Sequence, residues 1–101
     1  MDKYERHSDI CATLNSLYKA KNTAYGDAFG KTFQKYGIAS AMVRMSDKWY
    51  RMEALAQGVK NGVKDETLRD TIMDMANYCI MTLIELETAN QLGDKHGTDR
   101  I

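Results

Sequence analysis

No proline interrupts the 101 residues of this chain, and apolar residues recur at helical spacing through most of its length. Strand-like alternation is scarce. The pattern predicts an all-α fold: a small bundle of three main helices plus a short segment that is either helix or ordered loop, completed by oligomerisation. A lone chain of this length buries only about 60 to 65 % of its unfolded surface, so a modest core is expected. A single helical domain is expected over residues 1–92. The remainder, "GDKHGTDRI", reads as a polar flexible tail over 93–101.

The first helix is expected over about residues 3–24, with Ile10, Leu14 and Leu17 as its inner stripe and Gly26 as its stop. The short segment "DAFGKTFQKYG" follows, with Phe29, Phe33 and Tyr36 at turn spacing and Gly37 at its end. A long helix is expected over 38–57, and "GVKNGVK" reads as a polar linker. The last helix is expected from Thr67, where Thr67 and Asp70 have capping-box spacing, to about Leu86 or Ala89.

At about 100° per residue, the 38–57 helix shows an apolar face of Ile38, Met42, Met45, Trp49, Met52 and Ala56, and a lesser one of Val43, Tyr50 and Ala54. Between them Arg44, Lys48 and Arg51 form a cationic row at i, i+4, i+7, with Asp47 beside it. On the last helix Asp70, Asp74 and Asn77 repeat that spacing as a polar row. Downstream, "YCIMTLI" is apolar nearly all round, which suits an interior or an interface between copies. If the linker folds these helices antiparallel, Arg51 falls opposite Asp70, Lys48 opposite Asp74 and Arg44 opposite Asn77. A plain salt ladder is one reading of that register.

The first helix supports a pocket instead. Lys21 continues the stripe of Ile10, Leu14 and Leu17, and Tyr25 sits one turn further on the same side. The stretch "KNTAYGD" therefore brings Lys21, Asn22, Tyr25 and Asp27 toward a seam already lined by Arg44, Asp47, Lys48, Arg51, Asp70, Asp74 and Asn77. Arginine and lysine match phosphate oxygens. Tyr25, Tyr36, Trp49 and Tyr50 offer faces for a base, with Trp49 better suited to the core. Carboxylates and asparagines suit ribose hydroxyls, base edges or a magnesium ion. A small nucleotide-like molecule is the expected ligand.

Composition narrows the alternatives. With 14 basic and 14 acidic residues and a pI near 6.7, no overall field would draw duplex nucleic acid or an anionic membrane to the chain. No apolar run approaches the ~18 residues of a membrane span. Cys11 and Cys79 fall on apolar stripes and read as buried, reduced thiols, so a cytoplasmic location is expected. His7 and His96 read as isolated and solvated, no cysteine–histidine pairing is expected, and the glycines form no phosphate loop.

"KNTAYGDAF", "KYGIASAMVRMSDKWYRME" and "DTIMDMANYCIMTLIEL", spanning about residues 21–86, together resemble the nucleotide modification associated domain, a small helical family common in bacteriophages and inferred to act in nucleotide or DNA modification. The resemblance places the family's polar positions on Lys21, Asn22, Tyr25, Gly26 and Asp27, on Arg44, Asp47, Lys48 and Arg51, and on Asp70, Asp74 and Asn77. It implies a nucleotide theme and a phage origin, hence a bacterial host cell, more than a reaction. A more distant likeness is to the MazG-like all-α nucleoside triphosphate pyrophosphatases, whose paired E-x-x-E and E-x-x-D carboxylates hold magnesium. This chain departs from that pattern, offering Arg44-x-x-Asp47 and Asp70-x-x-x-Asp74-x-x-Asn77.

Three readings follow. The leading one is a binding protein, with no catalytic residue and no cofactor, that holds a nucleotide-derived ligand and in a phage would sequester a nucleotide immune signal. The enzyme alternative is a magnesium-dependent nucleotide pyrophosphatase or hydrolase using Asp47, Asp70 and Asp74. The third is an interaction module whose seam is only a salt ladder. All three expect a homo-oligomer.

Overall fold

A computed structural model describes residues 1–58 and 67–93; most of the predicted linker (59–64) and the tail from residue 94 onward lie outside them. Among the described residues there are four helices and no strand: α1 (Lys3–Tyr25), α2 (Ala28–Tyr36), α3 (Ile38–Ala56) and α4 (Leu68–Gly93). The all-α expectation holds. The undecided second segment is a helix, and α4 runs beyond its expected end.

Each helix starts or stops on a residue suited to it. The Asp2 carboxylate accepts from the Glu5 N–H at 2.8 Å, capping α1. Gly26 (φ 63°) and Asp27 (φ 57°) then take the left-handed conformation in succession, which turns the chain sharply into α2. Both donate their N–H groups to the Asn22 carbonyl. The Asp27 carboxylate folds over Gly30, where a Cβ would lie 2.5 Å from Oδ2, so a side chain at Gly30 would displace that carboxylate.

At the start of α4 the predicted capping box is present. The Thr67 N–H donates to Asp70 Oδ2 (3.2 Å) and the Asp70 N–H to Thr67 Oγ1 (3.0 Å). Thr67→Ala is accordingly expected to cost about 1 kcal/mol, read as a lower denaturation midpoint with an unchanged m-value. Asp70→Asn should destabilise similarly while leaving ligand affinity intact.

The core sits where α2, α3 and α4 meet. Phe29 and Phe33, one turn apart on α2, pack with Ala41 of α3, and Met45, Tyr78, Met81 and Leu86 close around them. Ala41 is 1 % exposed, and its small side chain lets the helices approach closely. Thr71 and Thr82 of α4 are buried without loss, because each hydroxyl donates to the carbonyl four residues earlier. Contacts of Lys48 with Asp74 and of Met45 with Cys79 run in opposite chain directions, so α3 and α4 are antiparallel. Gln34 of α2 donates to Glu85 of α4 at 3.0 Å.

Two expected faces are rotated. On α3 the covered side is Ala41, Met45, Lys48, Met52 and Leu55, while Ile38, Met42, Trp49 and Ala56 are exposed. The turn at Gly37 docks α3 through Ala41, which carries Lys48 inward and Trp49, at 51 % exposed, outward. On α1 only Leu14 of the predicted stripe is buried, since the helix packs on α2 and α4 through its C-terminal half and residues 1–13 are exposed throughout.

Candidate functional site

Where α1 ends and α2 begins, the chain faces the middle of the α3–α4 pair across a cavity of about 280 Å³. Lys21, Asn22 and Tyr25 reach it from α1, Arg44 and Lys48 from α3, and Asp74 and Asn77 from α4. Helical spacing is the cause. Lys21 and Tyr25 are four residues apart, as are Arg44 and Lys48, while Asp74 and Asn77 are three apart, so each pair shares one face.

Asp74 is the electrostatic centre. Its Oδ2 accepts from Lys48 Nζ at 3.1 Å and its Oδ1 from Lys21 Nζ at 3.3 Å. Lys48 and Asp74 side chains are 21 % and 27 % exposed, whereas Lys21 is 58 % exposed and reaches in from the rim. One carboxylate thus holds two ammonium groups of residues that line the cavity, and Arg44 adds a third cation. Among the described residues, three positive side chains line the cavity against a single negative one. Asn77 is anchored, its Nδ2 donating to the Leu14 carbonyl at 3.1 Å and tying α4 to α1.

The apolar side of the cavity is aromatic. Tyr78 stacks on Phe29 with ring centroids 5.8 Å apart and planes 24° apart, and Tyr18, Ala28 and Met81 complete the lining. Tyr18 and Tyr78 were not anticipated. Spacing signals both: Tyr18, Asn22 and Tyr25 are at i, i+4, i+7, and Asp74 and Tyr78 at i, i+4. Of the four aromatics considered as base platforms, Tyr25 lines the cavity, while Tyr36, Trp49 and Tyr50 are exposed elsewhere.

Four anticipated residues stand outside the lining. Asp27 forms the α1–α2 turn, Asp70 forms the capping box, Asp47 is exposed, and Arg51 is half-buried further along α3. Asp47, Asp70 and Asp74 therefore do not converge, and among the described residues no three histidine, cysteine or acidic side chains group as a metal would require.

Both cysteines are exposed, contrary to the buried thiols expected. Cys11 lies on the uncovered part of α1, with its Sγ 3.7 Å from His7 Nδ1, a pairing that the four-residue spacing permits. Cys79 is exposed at the α3–α4 seam, its Sγ 3.7 Å from Met45 Sδ.

Fold and site define a small all-α domain whose helices enclose a cationic, aromatic-backed cavity. The chain belongs to the family described as nucleotide modification associated domain 1, whose model matches residues 21–86 and so takes in α2, α3 and every anticipated cavity residue. Neither the curated proteins nor the solved structures furnish a match to it. No helix among the described residues is long and apolar enough to cross a membrane.

Proposed function

We infer that this protein binds a small, phosphate-bearing, nucleotide-derived ligand in the α1–α3–α4 cavity, and holds it without cleaving it. One observation carries the reading: among the described residues, Lys21, Arg44 and Lys48 line one cavity in which Asp74 is the single carboxylate. A surplus of fixed donors suits phosphate oxygens, and Tyr18, Tyr25 and Tyr78 supply faces for a base. The cavity volume lies near the lower end of small-molecule sites, about 300 to 1,000 Å³, which suits a mononucleotide-sized ligand and not a duplex. No cofactor is needed for such binding. A bacteriophage protein of this kind would act in the cytoplasm of its host by sequestering a nucleotide immune signal or buffering the nucleotide pool.

The test is calorimetry against a panel of linear and cyclic nucleotides, followed by heat denaturation and chromatography of the released ligand. Saturable binding with the nucleotide recovered unchanged is expected. Conversion of the nucleotide would establish a hydrolase instead. Asp74→Asn separates the two further, because it removes the one negative charge facing the phosphate yet retains an oxygen acceptor for a lysine. Affinity should stay within a few-fold of the parent or tighten, whereas a carboxylate-dependent hydrolase would lose turnover.

A further inference from the structure

The outer side of α4 carries large apolar side chains that no described residue fully covers. Ile72 is 48 % exposed, Ile80 44 %, Leu83 57 % and Ile84 38 %. Their spacing places them on an arc about 120° wide, whose centre lies about 120° round the helix from that of Asp74, Asn77 and Met81, which line the cavity; Ile84 is at the edge nearest Asn77, and Met73 within the arc is buried. The stripe continues onto α3, because Cys79 Sγ lies 3.7 Å from Met45 Sδ and the exposed Met42 and Trp49 flank that contact. Together these side chains present on the order of 600 Å² of apolar surface, at the limit of what monomers show and most of the roughly 800 Å² per partner of a stable interface.

The geometry points to a second copy of this chain as the occupant, docked with its α4 antiparallel to the first across a two-fold axis. The stripe is complementary to itself under that operation. With residue numbers summing to 155 or 156, Ile72 meets Leu83 and Ile84 of the partner subunit, and Ala76 meets Ile80 of the partner subunit. The small Ala76 near the axis allows close approach. At the rims, exposed Arg69 falls opposite Glu87 of the partner subunit, so each end closes on an opposite charge.

Sedimentation of the full chain at tens of micromolar is expected to give twice the 11.5 kDa chain mass. Leu83→Glu should give the single-chain mass with helical circular dichroism retained. Trp49, the one tryptophan in the sequence, should emit further to the red in that variant than in the parent. Arg69→Glu sets like charges face to face and should weaken the dimer about tenfold; adding Glu87→Arg should restore it. A parent protein of single-chain mass, or an assembly indifferent to Leu83→Glu, would overturn the pairing. Failure of the double reversal to rescue would overturn its antiparallel register.

Discussion

Replacing Phe29 with alanine is expected to lower the unfolding free energy by about 3 kcal/mol, the largest single-residue effect on stability in this chain. Phe29 is 8 % exposed and packs with Phe33 and Ala41 in a core that holds few other buried side chains. Its loss leaves a void that rigid helices on three sides cannot close. The ring is also the support on which Tyr78 stacks, so the aromatic wall of the cavity loses its backing. A urea titration should show a lower midpoint at constant slope, and nucleotide affinity should fall with it. A variant as stable as the parent would mean that the core lies elsewhere.

Lys48→Met carries the largest expected effect on binding. Methionine keeps most of the side-chain stem, so packing beside Met45 and Met52 is preserved and the charge alone is lost. Asp74 is then left with Lys21, which approaches from the solvent-exposed rim. Stability should fall by only about 1 kcal/mol, since solvent partly screens the pair, but phosphate affinity should fall by about 10- to 100-fold. Lys21→Met, at a more exposed position, should cost several-fold. Calorimetry on both variants checks the order as well as the size. Equal, negligible losses would reduce the seam to a salt ladder.

The lysine–aspartate contact was readable from sequence because two rows with the same i, i+4, i+7 spacing, on helices folded back against each other, permit few registers; Lys48 and Asp74 meet as that register requires. The capping box was equally legible, being local chemistry within one turn. Helix rotation was not. The apolar pattern of α3 has two faces, and the choice between them depends on Ala41 fitting against Phe29 and Phe33, a long-range packing fact absent from periodicity. Periodicity places Trp49 and Cys79 on apolar stripes without saying whether a stripe is covered, and both are exposed.

The carboxylates show the same limit. Asp27, Asp47, Asp70 and Asp74 look alike in sequence, yet backbone geometry assigns the first to a turn and the third to a helix cap, and leaves the second in solvent. Asp74 alone joins the cations. That division is what turns a mixed cluster, ambiguous between metal and phosphate, into a cavity with surplus positive charge.

Nuclear magnetic resonance titration of the labelled protein with a phosphorylated nucleotide tests the central claim most directly, because it reads each position separately. Saturable shifts confined to Lys21, Asn22, Arg44, Lys48, Asp74, Asn77 and Tyr78, and absent with the unphosphorylated nucleoside, are the predicted result. Shifts centred on other surfaces, or none with any phosphorylated nucleotide, would contradict it.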